Sequence, residues 1–339
     1  MSQEKPQDAG RHMKIVIPGG TGQVGTVLAR ALHAAGHNVL VLSRTPQPAP
    51  WRVMFWNGET PDGWAAEMDG ADAVINLAGR SVNCRYTKAN RESILKSRVN
   101  STRVIGEVIA RAAHPPRVWL QASTATIYSH RYDAPNDEFT GILGGAEPDA
   151  PDTWRFSIDV ATAWERALNE TITPGTRKVL MRSAMTMSPD SGGIFDTLLR
   201  LVRFGLGGKA GDGLQFVSWI HYEDFIRAVL WLIDHDDIAG PVNVASSNPL
   251  PYAEFMRLLR SAWGIPIGLP ATNWMIEIGT RLMGTESELV LKSRRVIPAR
   301  LQRAGFQFLH PHWAEAARDL CRQWRQSARP RDVAVAQAR

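Results

Sequence analysis

The feature that most constrains the fold is a short aliphatic run followed by regularly spaced glycines. Lys14-Ile15-Val16-Ile17 is typical of a buried strand, and the next segment, Gly19-Gly20-Thr21-Gly22-Gln23-Val24-Gly25, has glycine at its first, fourth and seventh positions. An amphipathic helix then begins, and Gly36 stands where a left-handed residue would end it. A second strand, Asn38-Val39-Leu40-Val41-Leu42, follows. This order predicts a βαβ unit that contains a phosphate-binding turn.

Each of the three spaced glycines has a mechanical role in such a turn. Gly19 lets the chain turn sharply out of the strand, Gly22 lets the backbone approach a diphosphate, and Gly25 lets the helix pack close to the sheet. Unpaired N–H groups and the positive end of the helix dipole would then face the anion. We therefore predict a dinucleotide site with contacts from Gly19, Thr21, Gly22, Gln23, Val24 and Gly25.

The end of the second strand predicts which dinucleotide binds. In NAD-binding folds of this kind, an acidic residue about 20 positions further on accepts a hydrogen bond from the ribose 2′-hydroxyl. Ser43 and Arg44 occupy that place here, and no Asp or Glu occurs in residues 38–56. A guanidinium cannot accept a hydrogen bond, but it pairs well with a 2′-phosphate. We therefore expect the cofactor to be NADP(H), held at this end by Ser43 and Arg44.

Composition narrows the possible partners and the compartment. The formal charge is +6, but the basic residues are scattered and form no stripe interleaved with aromatics, so nucleic-acid binding is not expected. Cys84 and Cys321 fit no disulfide framework, which is typical of a reducing cytoplasm, and His310-Pro311-His312 has too few ligands for a metal site. No signal peptide and no apolar run long enough to span a bilayer is found. We expect a cytoplasmic protein that binds no membrane.

Strand and helix patterns alternate through the first half of the chain and loosen in the second. The alternation predicts an α/β fold with a Rossmann-type doubly wound parallel sheet, which would bind NADP(H) through residues 13–188. A smaller, α-rich C-terminal substrate lobe is expected over residues 189–325, with 219–248 returning to the Rossmann core. Residues 1–12 are predicted to be a flexible tail, as are residues 327–339, in which Ala alternates with Arg, Val and Gln.

Besides the glycine loop, six segments occur in an order that is specific to one family. They are Asp72-Ala73-Val74-Ile75-Asn76-Leu77-Ala78-Gly79, Ser97-Arg98-Val99-Asn100, Ser123-Thr124-Ala125-Thr126-Ile127-Tyr128, Trp164-Glu165, Trp219-Ile220-His221 with Asp224, and Val296-Ile297-Pro298-Ala299-Arg300-Leu301. In these segments the chain resembles an extended short-chain dehydrogenase/reductase, and more narrowly the atypical branch called the epimerase family. The resemblance implies a Rossmann core of the seven-strand type, an NADP(H) site and a C-terminal lobe that closes over the substrate.

The resemblance also implies positions for substrate and coenzyme contacts. Thr124 matches a serine or threonine that hydrogen-bonds the carbonyl or hydroxyl group of the substrate. The implied coenzyme contacts are Leu77, Ala78 and Gly79 on the adenosine side, and Ala122 and Ser123 beside the nicotinamide ribose.

The usual acid–base pair of this family is missing from the chain. Extended short-chain enzymes normally move a proton with a tyrosine whose pKa is lowered by a lysine four residues later on the same helical face. Anchored on Glu165, these positions hold Ser157 and Ala161, and no other Tyr-x-x-x-Lys occurs. Serine is a far weaker acid than a phenol and alanine has no charge, so another group would have to donate the proton.

Side chains elsewhere are candidates for this missing chemistry. Tyr128, on the loop after the fifth strand, is a candidate proton donor, with a phenol packed beneath that loop as the alternative. His221 could face the substrate and titrate near neutrality, or it could be a histidine satisfied at a domain interface. Its neighbour Trp219, together with Arg85 and Tyr86, completes the candidate substrate contacts.

Two classes of function fit these observations. The first is an NADP(H)-dependent oxidoreductase or epimerase that acts on a small polar or nucleotide-linked substrate near Thr124. The second is a protein that binds NADP(H) without turnover and senses its redox state, a hypothesis favoured by the absent Tyr/Lys pair. A homodimer through two long helices is frequent in the family that the chain resembles.

Overall fold

Strands and helices alternate along most of the chain. The computed structural model describes residues 12–148, 150–282, 284 and 286–336. The strands are β1 Lys14–Pro18, β2 Asn38–Ser43, β3 Arg52–Phe55, β4 Ala73–Asn76, β5 Val118–Thr124, β6 Arg177–Ser183, β7 Met185–Met187, β8 Phe216–Val217, β9 Trp219–His221, β10 Gly240–Val244 and β11 Leu250–Pro251. The helices are α1 Gln23–Ala34, α2 Lys88–Arg111, α3 Asp152–Asn169, α4 Ile194–Arg203, α5 Tyr222–Asp234, α6 Tyr252–Trp263, α7 Asn273–Leu282, α8 Glu288–Leu291, α9 Ala299–Arg303 and α10 Trp313–Ala336.

One large parallel sheet organises the molecule. Its seven strands lie in the order β10-β6-β5-β4-β1-β2-β3. Because β1 pairs with β2 on one side and with β4 on the other, the strand order reverses beside β1. In open sheets of this kind, ligands bind in the crevice outside the carboxyl ends of the strands at such a reversal. The predicted Rossmann-type doubly wound sheet is confirmed, and the glycine loop follows the strand at its reversal.

Helices cover both faces of this sheet, and β1 shows how. Ile15 and Ile17 pack into the layer formed with α1 and α5, whereas Val16 packs into the layer formed with α2 and α3. Leu28 of α1 and Phe225 of α5 are buried in the first layer. A strand buried on both faces reads as a continuous aliphatic run, which explains why its sequence shows no polar alternation.

The chain returns to the Rossmann core after residue 219. Helix α5 packs against the sheet, and β10 is an edge strand in which Val242 pairs with Met181 of β6. Residues near the end of the chain also join this core through Leu301 and Phe306. The sequence assigned those two residues to the substrate lobe, because their distance along the chain gives no sign of a contact with the sheet.

A second core holds the C-terminal lobe together. Phe195 of α4 and Phe255 of α6 meet Trp313 of α10, and the rings of Phe255 and Trp313 stack with their centroids 4.0 Å apart. The long helix α10 therefore anchors the lobe through its first turns.

The last helix also corrects the predicted C-terminal tail. Helix α10 extends to Ala336, so residues 327–336, which we expected to be a flexible tail, are helical. The alanines and arginines of residues 327–336 favour a helix, whereas Pro330 and the two valines do not, so the composition of this segment by itself predicts no helix. Residues 1–11 and 337–339 of the predicted tails lie outside the described residues. Among the described residues, no helix combines the length and the apolar composition needed to cross a membrane.

Candidate functional site

Two of the three spaced glycines are required by the protein's own packing. Gly19 has a φ of 75°, and a Cβ added to it would lie 2.5 Å from Cα of Ala78. A Cβ on Gly25 would lie 2.5 Å from Cα of Gly20, so α1 could not sit this close to the loop with any other residue there. Gly22 differs from both, because a Cβ added to it would meet no protein atom closer than 3.9 Å. The space beside Gly22 is therefore available to a ligand.

The helix behind this loop presents its positive end to the same space. Gly22 is the N-cap of α1, no side chain caps the helix, and its first turn carries no acidic residue. The first N–H groups of such a helix have no intrahelical partner and attract an anion. Gln23, the first residue of α1, packs against Gly193: a Cβ added to Gly193 would lie 2.0 Å from the side-chain amide nitrogen of Gln23. An uncapped helix end beside open space fits the diphosphate of a dinucleotide.

A cleft of about 610 Å³ opens on one side of the glycine loop. It gathers eight of the predicted coenzyme residues from the ends of three strands, β1, β2 and β4. At its edge, the Ser43 and Thr21 hydroxyl oxygens lie 3.2 Å apart, and the side chain of Arg44 is exposed to solvent. Lys96 of α2 also lines the cleft, a residue that the sequence analysis missed. The eight predicted residues are Gly19, Thr21, Gly22, Ser43, Arg44, Leu77, Ala78 and Gly79.

The predicted coenzyme contact at Ser123 belongs to a buried network instead. Oγ of Ser123 donates to Oε1 of Glu165 at 2.6 Å, and Arg182 donates to both carboxylate oxygens of Glu165 at 2.8 and 2.7 Å. Ser123 is 6% exposed, whereas its neighbours Ala122 and Thr124 on β5 are half-buried. Because side chains alternate along a strand, Ser123 points away from the face that Ala122 and Thr124 share.

Tyr128 lies in the same network, which argues against its predicted role as proton donor. Its hydroxyl donates to Oδ1 of Asn243 at 2.9 Å and accepts a hydrogen bond from Nη1 of Arg182 at 3.0 Å. The ring is 2% exposed, and burial raises the pKa of the phenol. The alternative that the sequence left open, a phenol packed beneath its loop, describes Tyr128 correctly.

A second, smaller cavity lies at the end of β5, and we call it the Thr124 pocket. Its volume is about 120 Å³. Two predicted residues, Thr124 and Tyr86, line it together with Ser157 and Ala161, the positions of the missing Tyr/Lys pair. The remaining lining residues are Val82, Ile94, Arg98, Thr126, Phe156, Val160, Trp164, Glu288 and Arg294.

Glu288 is the acidic group of the Thr124 pocket. The Ser157 hydroxyl donates to Oε2 of Glu288 at 2.5 Å, and the Tyr86 hydroxyl lies 3.5 Å from the same serine oxygen. Glu288 is only 1% exposed, and this burial raises the pKa of its carboxyl group, although the nearby Arg294 opposes the shift. The sequence analysis missed Glu288, because it lies 131 residues from Ser157 and no motif links the two.

Arg85, a predicted substrate contact, does not line the Thr124 pocket. Its Nη1 lies 3.0 Å from Oε2 of Glu286, whose other oxygen accepts the backbone N–H of Tyr86 at 2.6 Å. Glu286 therefore holds the Arg85-Tyr86 segment against the C-terminal lobe. Tyr86 reaches the pocket, whereas the charge of Arg85 is used in this contact.

Trp219 and His221, also predicted as substrate contacts, are core residues. Trp219 is fully buried with its ring centroid 5.0 Å from that of Trp313, and its indole N–H donates to the carbonyl of Asn248. His221 is fully buried at the N-terminus of α5, where its Nδ1 accepts the backbone N–H of Glu223. Burial, together with the nearby His310, lowers the pKa of His221 to about 3. The interface alternative is therefore correct for His221.

One group of possible metal ligands occurs in the described part of the chain. His221, His310 and Asp319 bring their ligand atoms within 4.8 Å of one another. However, Nδ1 of His221 is an acceptor, so Nε2 carries the proton of the neutral ring and offers no lone pair. Nε2 of His310 lies 2.9 Å from a carboxylate oxygen of Glu223. We assign no metal to this cluster.

Comparison with known proteins agrees with this architecture. The NAD dependent epimerase/dehydratase family matches residues 15–245, and a domain of unknown function, DUF1731, matches residues 272–320. Epimerase family protein SH2119 of Staphylococcus haemolyticus is 31% identical over 312 residues, which cover 91% of this chain and 98% of that protein. Epimerase family protein SDR39U1 of Mus musculus is 30% identical over 315 residues, with 91% and 99% covered.

A solved structure of a related protein has the same fold as this chain. Human epimerase family protein SDR39U1 (isoform 2), crystallised with NADPH, superposes on this chain with a TM-score of 0.79 at 27% identity. The match covers 91% of this chain and 99% of that one. These matches and the glycine-loop cleft identify a nicotinamide-dinucleotide fold of the short-chain dehydrogenase/reductase type. The chain belongs to the NAD dependent epimerase/dehydratase family.

Proposed function

We propose that the protein is an NADP(H)-dependent oxidoreductase that acts on a small carbonyl or hydroxyl compound in the Thr124 pocket. The observation that carries this proposal is that the Thr124 pocket lies next to the coenzyme cleft, because a residue that lines one contacts a residue that lines the other. Gly79 lines the coenzyme cleft, Arg98 lines the Thr124 pocket, and a Cβ on Gly79 would lie 3.1 Å from Cζ of Arg98. A protein that only senses its coenzyme needs no second pocket at this place.

The pocket residues supply the groups that such a reaction needs. Bound NADPH would provide a hydride for the substrate carbon. Oγ1 of Thr124 accepts the N–H of Thr126, so the Thr124 hydroxyl hydrogen is available to donate to a substrate oxygen. Burial raises the pKa of Glu288 above its usual value, and the Ser157 hydroxyl, which donates to Glu288 at 2.5 Å, connects this carboxyl group to the pocket as a path for a proton. Glu288 and Ser157 together replace the missing Tyr/Lys pair in this proposal.

The size of the pocket favours a small substrate over a nucleotide-linked one. Its volume of about 120 Å³ is slightly below the ~150 Å³ of an engineered cavity that binds benzene. Val82, Ile94 and Val160 contribute apolar walls. A nucleoside diphosphate would need several times this space, so of the two substrate classes considered from the sequence we propose the small compound.

Replacing Arg44 with alanine should weaken NADPH binding by about tenfold to hundredfold and leave NADH binding unchanged. A charge-assisted hydrogen bond to the 2′-phosphate contributes about 1.5–3 kcal/mol, and only NADPH has that phosphate. Calorimetric titration of both coenzymes measures the effect. Arg52→Ala is the matched control, because Arg52, on the neighbouring strand β3, pairs with Glu67 at 2.8 Å and does not line the cleft. Equal wild-type affinities for NADPH and NADH would contradict the choice of NADP(H).

The reaction is tested by following NADPH consumption with a panel of small ketones, aldehydes, quinones and enones. We expect turnover by the wild type, and a loss of about hundredfold in kcat for Glu288→Gln and for Ser157→Ala, because each removes a proton-transfer group. Glu107→Gln, on the polar face of α2, should leave kcat unchanged. If folded protein binds NADPH but turns over no member of the panel, the non-catalytic hypothesis gains and this proposal fails.

A further inference from the structure

Arg98 is a cation without a carboxylate partner among the described residues. Its Nη1 donates to the carbonyl oxygens of Arg80 and Ile94, each at 3.0 Å. Arg294, the other guanidinium of the Thr124 pocket, differs because Glu288 lies 3.5 Å from it. Burial lowers the pKa of Arg98 to about 10, as expected for a cation removed from water without a counter-ion. The electrostatics of the pocket therefore favour an anion beside Arg98.

The unused edge of this guanidinium has the geometry for a carboxylate. Within the described part of the chain, Nε and Nη2 of Arg98 donate no hydrogen bond, whereas Nη1 donates two. Nη2 lies on the side of Gly79, where an added Cβ would be 3.3 Å from it, so this edge is at the boundary between the Thr124 pocket and the coenzyme cleft. The Nε–Nη2 edge offers two parallel N–H groups, which match the two oxygens of a carboxylate. The Trp164 ring, whose centroid is 5.0 Å from Cζ of Arg98, packs against the guanidinium.

The remainder of the pocket is suited to an apolar body. The rings of Tyr86 and Phe156 meet edge to face with centroids 5.0 Å apart, and both side chains line the cavity. Thr124, Ser157 and Arg98 all line the cavity, so a ligand can place a carbonyl and an acidic group in the same pocket. An uncharged ligand would leave the Nε–Nη2 edge of Arg98 unpaired.

We infer that the substrate of this site is a small carboxylic acid with an apolar body, whose carboxylate pairs with the Nε–Nη2 edge of Arg98. The inference rests on the proposed function for the reacting carbonyl or hydroxyl group, and on Arg98 for the acid. It names a substrate class within the pocket, and it requires carboxylate binding that can be measured without turnover.

The test is to titrate benzoate and its neutral counterpart benzamide into the NADPH-saturated protein by calorimetry. We expect benzoate to bind at least about tenfold more tightly than benzamide, because only benzoate makes the charge-assisted pair. Arg98→Met should lower benzoate affinity by about tenfold or more and leave benzamide unchanged. Arg98→Lys keeps the charge but loses the paired donors, so its affinity should be intermediate. Arg103→Met, an exposed change on the same helix, is the control.

Three results would overturn the inference. One is equal affinity for benzoate and benzamide, and another is no heat with either compound. The third is a loss of NADPH affinity in Arg98→Met with unchanged benzoate affinity, which would assign Arg98 to the coenzyme. If Arg98→Met does not fold, the wild-type comparison and Arg98→Lys give the answer. Benzoate binding at Arg98 without turnover of any carbonyl acid would instead contradict the proposed function, and it would leave Arg98 as the group that binds the carboxylate of a ligand.

Discussion

Gly22→Ala is expected to weaken NADPH binding by about hundredfold, while costing at most about 1 kcal/mol in the free energy of unfolding, the cost of a poorer N-cap. The backbone at Gly22, with φ −70° and ψ 169°, suits alanine, and the added methyl meets no protein atom closer than 3.9 Å. That methyl would occupy the space that the diphosphate needs beside the end of α1. Calorimetry with NADPH and urea unfolding measure the two effects separately.

Gly25→Ala is the matched control for this prediction. Alanine inside a helix gains about 1 kcal/mol of helix propensity over glycine, but this methyl would lie 2.5 Å from Cα of Gly20. Since backbone cannot move aside as a flexible side chain can, we expect a net loss of about 1–3 kcal/mol in the free energy of unfolding. Full NADPH affinity in Gly22→Ala would show that the diphosphate does not bind at this loop.

Arg182→Met is expected to destabilise the folded protein by about 3–5 kcal/mol, because it leaves the Glu165 carboxylate buried without its cation. The pair is bidentate, with distances of 2.8 and 2.7 Å, and the two side chains are only 9% and 10% exposed. Removing one member of such a pair costs more than the pair contributes, because the remaining charge is desolvated. Urea unfolding at neutral pH measures the loss.

Two further variants test whether the unpaired charge of Glu165, and not the loss of hydrogen bonds, causes the destabilisation. Tyr128→Phe removes hydrogen bonds to Arg182 and Asn243 but no charge, so its cost should be about 1–3 kcal/mol. Combining Arg182→Met with Glu165→Met should cost less than the sum of the two single changes, because no unpaired charge then remains. A cost below about 1 kcal/mol for Arg182→Met would contradict the prediction. Loss of turnover in a stable Tyr128→Phe variant would return Tyr128 to the list of proton donors.

The residues that line the glycine-loop cleft were largely predictable because their signals are local. The glycine that avoids a clash, the uncapped start of α1 and the residue after β2 all lie within one short segment, residues 14–44. The periodicity of the apolar residues places these elements, and the parallel sheet brings the ends of β1, β2 and β4 together. Lys96 escaped prediction because it reaches the cleft from a helix that follows a different strand.

The substrate half was poorly predictable because its residues meet through the tertiary fold. Tyr128 and His221 carry suitable chemistry, but chain position does not show whether a side chain points into a cavity or into the core. Glu288 and Ser157 meet only because α8 packs over α3, so the acid of the pocket has no sequence motif. The packing of α2 against α3 puts Arg98 beside Trp164.

The amino-acid sequence alone determined the parallel α/β core, the glycine loop and the presence of a basic residue, Arg44, directly after β2 at the cleft. These features depend on strand and helix periodicity and on glycines that no other residue could replace, and both are properties of neighbouring residues. The tertiary structure alone decided which groups line the Thr124 pocket and which of them are charged. Burial and pairing depend on contacts between residues far apart in the chain, and those contacts exist only once the C-terminal lobe has packed against the sheet.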